Sequence, residues 1–160
     1  MNYYKLLGAS SIICASLIFY FYHQKNEKNK IDQLSAYIDL LEYVKQQIQH
    51  YKSPINVIFS DCDHSYLAKC SYLAKTPPVS FTDLLNNSIL YLDSESINLL
   101  YKFAHGFGAL YYDEQIEFCN KYINELKSKR EAYKENIARN KKICLALCLC
   151  FSVSIILLLI

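Results

Sequence analysis

Glycine and proline are scarce: the 160-residue chain holds three of each. A many-stranded sandwich or barrel is punctuated by turns roughly every 8–12 residues, so that architecture is excluded. Charge of one sign is lacking too. The 17 Lys and Arg stand against 15 Asp and Glu, a net +2, which gives no chain-wide field for gripping nucleic acid. Tryptophan is absent, and the aromatic content rests on 15 Tyr and 8 Phe. What is there is apolar. With 52% hydrophobic and 20% charged residues, a disordered tail, a collagen-like fibre and a highly charged coil are excluded. The expectation is an all-α chain of one domain with at most a small appendage.

The apolar residues gather at the two ends. Residues 6–22 run for 17 positions without a formal charge (LLGASSIICASLIFYFY), and residues 143–160 for 18 (ICLALCLCFSVSIILLLI). As a helix the second run spans about 27 Å, close to the roughly 30 Å hydrocarbon core of a bilayer. Its 12 Ile, Leu, Val and Phe residues contribute at best about −4 to −7 kcal/mol on the insertion scale. The first run, with eight such residues and three Ser, inserts more weakly. It ends on Phe19-Tyr20-Phe21-Tyr22, bulky throughout, so it reads as an anchor with an interfacial aromatic belt and not as a cleaved signal peptide. Lys25, Lys28 and Lys30 follow it. Lys127, Lys129, Arg130, Lys134, Arg139, Lys141 and Lys142 precede the second run, and the outer tails offer Lys5 alone. The positive-inside rule then predicts an N-terminal transmembrane anchor (1–22), a cytosolic helical bundle with a long final helix (23–142) and a C-terminal transmembrane anchor (143–160). The seven basic residues before the second anchor form a membrane-proximal surface suited to anionic headgroups.

The cysteines agree with a cytosolic placement. Seven is an odd number, and Cys14, Cys144, Cys148 and Cys150 fall inside the anchors. Cys62, Cys70 and Cys119 show no C-x-x-C spacing, so a disulfide framework is not expected. Asp61-Cys62-Asp63-His64 with Cys70 is the one cluster resembling a zinc-ligand set, but a closed site needs four ligands at regular offsets. No phosphate-cradling glycine loop and no recognisable nucleophile motif occur. The expectation is a protein without enzymatic activity, cofactor or metal.

Between the anchors the periodicity is helical. Ile31, Leu34, Ile38, Leu41, Val44 and Ile48 recur at three- and four-residue steps. Ser53-Pro54 ends that helix and reads as an N-cap and first-turn proline for a short one from Ile55. Tyr66, Leu67, Cys70 and Leu73 outline another, stopped by Pro77-Pro78. Ser80 caps a helix from Phe81 to about Leu92, with Leu84, Leu85, Ser88 and Ile89 inside. Asp93 and Ser94 cap a helix carrying Ile97, Leu100, Tyr101 and Ala104. Gly106 and Gly108 then supply the left-handed conformation that ends it. The last segment carries Ile116, Cys119, Ile123, Leu126, Arg130, Tyr133 and Ile137 at alternating steps of three and four, a heptad seam. No Gly or Pro interrupts residues 111–160, so one helix of up to 48 residues is expected. Small residues also recur in helical register within the anchors: Gly8, Ser11 and Ala15 in the first, Ala146, Cys150 and Ser154 in the second. Such rows let helices approach closely in lipid, so they are expected to face each other or a second protomer of a homo-oligomer.

The opening Tyr4-Lys5-Leu6-Leu7-Gly8-Ala9, the helix end from Ile48 to Pro54, the stretch from Phe103 through Gly108 to Gln115, and the spacing on to Asn140, Lys141 and the closing ILLLI together resemble the stage III sporulation protein AB family of endospore-forming Firmicutes. Gly8, Pro54, Gly108 and Gln115 carry that resemblance. The chain departs from the family pattern at Gln47, Ala104 and Tyr111. The resemblance implies a bundle similar to the inner-membrane platform (F) subunit of type II secretion machines. It implies a structural component of the channel joining mother cell and forespore, in the mother-cell membrane around the engulfed forespore. Its implied partners are a secretion-type ATPase, the other stage III sporulation A-operon proteins and membrane lipids. Two alternatives are a two-anchor scaffold of division or phage type with no sporulation role, and a metal enzyme built on Cys62, His64 and Cys70.

Overall fold

The computed structural model describes residues 3–51, 53–107 and 111–159. Six helices are described: α1 Tyr3–Tyr51, α2 Ile55–Ser60, α3 His64–Lys69, α4 Phe81–Asn86, α5 Ser94–Gly106 and α6 Tyr112–Leu159. The all-α expectation holds. No strand occurs among the described residues, although an isolated antiparallel bridge pairs Tyr72 with Ser88. The chain divides into two compact units, Met1–Lys28 with Tyr133–Ile160 and Asn29–Ala132. The central unit is thus shorter at both ends than the 23–142 segment delimited by charge.

With no glycine or proline between Gly8 and Pro54, nothing stops α1, and the expected anchor and first bundle helix form one element of 49 residues. α6 likewise runs unbroken for 48 residues. Among residues whose side chains are described, which end at Ile155, no helix is long and apolar enough to cross a membrane. The uncharged run of the sequence continues past that point with Ile-Leu-Leu-Leu-Ile.

In the central unit α1 buries its expected face through Leu34, Ile38, Leu41, Val44 and Ile48. It buries Gln33, Ala36, Tyr37 and Leu40 as well, because it is covered on two sides. α6 lies along one, tied by Lys45 Nζ to Asn120 Oδ1 (3.1 Å) and Lys127 Nζ to Glu42 Oε1 (2.6 Å). The short helices and their loops lie along the other. The α6 seam is sealed by Cys119, Ile123 and Leu126, with Tyr122 buried beside them. An aromatic cluster joins the elements. Phe81 meets Phe59, Phe103 and Phe107 edge-on at centroid distances of 5.0, 4.8 and 5.4 Å, and Phe103 stacks on Phe118 at 5.6 Å. Such pairs contribute about 0.5–1.5 kcal/mol each beyond their buried area.

Several helix ends differ from the sequence expectation. Pro54, not Ser53, is the N-cap of α2, and no side chain caps that helix. Ser80 Oγ accepts from Asp83 N as expected, while Asp83 Oδ2 accepts in return from Val79 N. Asp93 caps α5 by accepting from Ser96 N (3.1 Å). α3 stops at Lys69, four residues before Leu73. Ser71 takes φ 63°, and Ser71 N and Tyr72 N donate back to Ala68 O and Leu67 O at 3.0 and 3.1 Å. That is a Schellman closure with serine in the place usually held by glycine. Leu73 is consequently exposed. α4 ends at Asn86 and not near Leu92. The chain after it pairs with the loop after α3, through Leu73 N to Asn87 O (2.9 Å) and Ile89 N to Ser71 O (3.1 Å).

One buried side chain from α1 locks these two loops. Gln33, 2% exposed, donates from Nε2 to Ile89 O (2.6 Å) and Cys70 O (3.2 Å), and its Oε1 accepts from Tyr91 N (2.7 Å). A helix beyond Asn86 would have consumed those backbone groups internally, so the loop and the glutamine are alternatives to the longer α4.

Gly106 also plays a different part from the one expected. It lies inside α5, followed by Phe107 at φ −73°. What it supplies is proximity: a Cβ there would meet Phe118 Cζ at 2.5 Å, so α5 and α6 approach only because the side chain is missing. Gly108, assigned to the same turn by the sequence, lies outside the described residues.

Candidate functional site

In the unit formed by residues 1–28 and 133–160, α1 and α6 supply the two long stretches, and their facing side is polar. Ser16 Oγ and Ser152 Oγ are 2.6 Å apart. Each hydroxyl has a single proton, so one serine donates to the other, which in turn donates within its own helix, Ser16 to Ile12 O (3.0 Å) or Ser152 to Cys148 O (2.7 Å). Ser152 is 2% exposed. Large apolar side chains stay uncovered: Ile18, Phe19, Phe21, Leu147 and Phe151 are each more than 60% exposed, while Tyr20 is buried. This is the inverse of a water-soluble helix pair, in which the apolar stripe is the buried one.

The small-residue rows are not what brings these helices together. Gly8, Ser11, Ala15, Ala146, Cys150 and Ser154 are exposed. A Cβ at Gly8 would have no heavy atom within 4 Å. The contact runs instead through Ile12 and Ser16 on α1 and Cys148 and Ser152 on α6, a register in which both serines find partners. The pair encloses two hollows. An apolar groove of about 570 Å³ is lined by Ile12, Ala15, Phe19, Leu147, Phe151 and Ile155. A polar cavity of about 200 Å³ is lined by His23, Gln24, Glu27, Asn136, Asn140 and Lys141.

The expected basic surface divides between the units. In the central unit Lys127 pairs with Glu42, Lys129 Nζ with Glu95 Oε1 at 2.8 Å, and Arg130 Nε with Glu131 Oε1 at 3.2 Å. These pairs are partly exposed and contribute little stability, on the order of 0–1 kcal/mol each. Their carboxylates also neutralise part of the field the sequence suggested. Lys134, Arg139, Lys141 and Lys142 belong to the other unit. There Arg139 donates to Asn136 Oδ1 (2.9 Å), Lys141 lines the polar cavity and Lys142 is exposed.

Of the remaining resemblance-bearing residues, Pro54 starts α2 and its carbonyl accepts from Val57 N and Ile58 N at 3.0 and 3.1 Å. Gln115 closes the first turn of α6 by donating its N–H to Tyr111 O (2.9 Å), while Glu114 Oε2 accepts from Tyr111 N (3.1 Å). The zinc-like cluster is occupied structurally. Asp63 Oδ1 caps α3 by accepting from Ser65 N (2.9 Å), a bond that holds its carboxyl below the usual range. Burial pushes the Cys62 thiol up to about 11 and the Cys70 thiol up to about 12, away from the thiolate a nucleophilic role requires. Among the described residues no group of three His, Cys, Asp or Glu is placed to hold a metal ion.

Sequence reasoning did not single out Gln33, Ser16, Ser152 or Asn136. For Gln33 a signal existed, a polar residue one step before Leu34 and four before Tyr37 on the inner side of α1. For the serines there was none beyond their place in an apolar run.

A search of the curated proteins found no match, and a search of the solved structures found none either. The family model described as stage III sporulation protein AB matches residues 5–160, from the first charged residue to the last residue of the chain. The match takes in both helical units, and the chain belongs to the stage III sporulation protein AB family, which implies a role in sporulation.

Proposed function

We propose that this protein is a non-enzymatic membrane platform of a secretion-like channel between mother cell and forespore, with residues 1–22 and 143–160 as its membrane anchors and residues 23–142 in the cytoplasm. The observation that carries the reading is the inside-out helix pair, with Ser16 and Ser152 inside and Ile18, Phe19, Phe21 and Phe151 outside. In water that exposure is unfavourable, since contiguous apolar surface of this kind drives association. In lipid it costs nothing, and the serine pair gains from the absence of competing water. The lysines near both apolar runs favour the cytoplasmic side for the central unit.

The central unit has the properties of a docking body. Its long helices are held by a sealed core, its thiols are buried and protonated, and its outer face is mixed in charge. Such a body can transmit force or position from an ATPase that binds it without chemistry of its own. The proposed partners are therefore a secretion-type ATPase and the proteins encoded with this chain in the sporulation A operon.

Two experiments test the reading. Deletion of the gene is expected to block spore maturation, and normal heat-resistant spores from the deletion strain refute the sporulation role. Protease added outside intact protoplasts is expected to spare residues 23–142 and to digest them after permeabilisation. Digestion in the intact protoplast refutes the orientation.

A further inference from the structure

The two hollows follow one another along the same faces of the helix pair. On α1 the lining residues Ala15, Phe19 and His23 follow at four-residue steps, which places them on one face. On α6 Asn140, Cys144, Leu147, Phe151 and Ile155 follow at steps of three and four, again on one face. Cys144 lines the polar cavity and Cys148 the apolar groove, so the two meet within a single turn. From Leu147 to Ile155 the apolar part extends for about 12 Å of helix, most of the half-thickness of a bilayer core of roughly 30 Å. Its polar end is the end that carries Lys141, with Arg139 and Lys142 beside it.

Charge and chemistry select the occupant. Lys141 supplies a cationic donor for a phosphodiester, and its ammonium to a phosphate oxygen is a charge-assisted hydrogen bond. Asn136, Asn140 and Gln24 offer amide donors and acceptors at the scale of a polyol headgroup. Glu27 is the anionic residue among those lining the cavity, so it favours the hydroxyl-bearing part of a headgroup and repels a second phosphate. We infer that the groove holds one anionic glycerophospholipid, with its phosphate at Lys141, its headgroup hydroxyls among the amides and one acyl chain along Ala15, Phe19, Leu147 and Phe151. A bound lipid of this kind would fill the space left between two helices that touch through serines, and would make assembly of the platform sensitive to the anionic lipid content of its membrane. The inference rests on the membrane reading proposed above.

The test uses the full chain in nanodiscs of phosphatidylcholine with a minority of phosphatidylglycerol, followed by gentle detergent release and native mass spectrometry. The wild type is expected to retain one phosphatidylglycerol in preference to phosphatidylcholine. Lys141→Gln removes the cationic donor and is expected to lower retention about tenfold, the effect of losing one charge-assisted contact. Ala15→Trp fills the acyl groove and is expected to lower retention of either lipid. Lys142→Gln lies outside the cavity and is expected to leave retention unchanged. Equal loss from Lys142→Gln and Lys141→Gln, or equal retention of the two lipids by the wild type, overturns the site in favour of diffuse surface attraction. Free glycerol 3-phosphate that displaces the lipid overturns the role of the acyl groove. Carbonate extraction of membranes separates the two levels of argument. A chain released by carbonate overturns the membrane reading and the lipid site with it, whereas a resistant chain that retains no lipid overturns the site alone.

Discussion

Replacing Gln33 with methionine isolates the contribution of one amide to the architecture of the central unit. Methionine keeps the length and much of the volume of the side chain, so packing against the buried face of α1 is largely preserved. Three hydrogen bonds vanish, to Cys70 O, Ile89 O and from Tyr91 N. Each backbone group left behind costs on the order of 1 kcal/mol, more where water cannot reach it. The bond to Cys70 O is fully buried, and the other two are half-buried. The sum is about 3 kcal/mol, close to a hundredfold change in an opening equilibrium. It falls on the loops after α3 and α4, not on the core, because α5 has its own cap at Asp93 and its own aromatic contacts. Amide exchange of the full chain, followed by mass spectrometry, reads this directly. Peptides covering residues 70–73 and 87–92 are expected to exchange about a hundredfold faster, while those covering 96–106 stay protected. Unchanged exchange at 87–92 would refute the claim that Gln33 holds the loops. Gln33→Glu adds a check on sign. Its carboxyl faces two carbonyls in a buried site, so the folded state raises its pKa above the ordinary value of about 4.3. The protonated form is the one the fold favours, so this variant comes closest to wild type at low pH and loses stability as pH rises through the folded pKa.

Ser71 holds φ 63° without being glycine. Ser71→Gly is expected to raise stability by about 1 kcal/mol and Ser71→Val to lower it by at least as much, read as shifts in the urea midpoint. The Tyr37 hydroxyl is buried beside the Ser88 hydroxyl without a hydrogen bond of good geometry, burial raises its pKa above the ordinary tyrosine range, and Ser88 Oγ donates its own proton to Leu84 O. Tyr37→Phe is therefore expected to be neutral or stabilising by up to about 1 kcal/mol, and a loss larger than that in urea would show the hydroxyl to be bonded. Burial raises the Cys70 and Cys119 thiols from 9.0 to about 12. Their folded pKa values exceed the unfolded ones, so the stability they contribute is complete below pH 9 and is lost as pH rises toward 12. Helicity followed by circular dichroism is expected to fall over that alkaline range, and the fall is expected to shift upward in a Cys70→Ala, Cys119→Ala variant.

How much of this was legible in the sequence follows from the range of the forces involved. The α1 and α6 faces were legible because Leu34, Ile38, Leu41, Val44, Cys119, Ile123 and Leu126 repeat at helical steps, and periodicity is local information. The caps at Ser80 and Asp93 were legible for the same reason, since a cap and its N–H donor lie three residues apart. What failed was set by partners far along the chain. α4 stops early because Gln33, more than fifty residues upstream, takes the carbonyl of Ile89 and the N–H of Tyr91. Gly106 was assigned to handedness because glycine at a helix end most often serves that purpose, whereas here Phe118 on α6 determines the need. The helix pair of residues 1–28 and 133–160 carries the same lesson. A row of small residues predicts close approach only if it is the row that faces the partner. Gly8, Ser11 and Ala15 lost that place to Ile12 and Ser16, because Ser16 facing Ser152 completes a hydrogen bond between the two helices. Sequence periodicity therefore identifies which faces are available, and the few polar groups that must be paired decide among them.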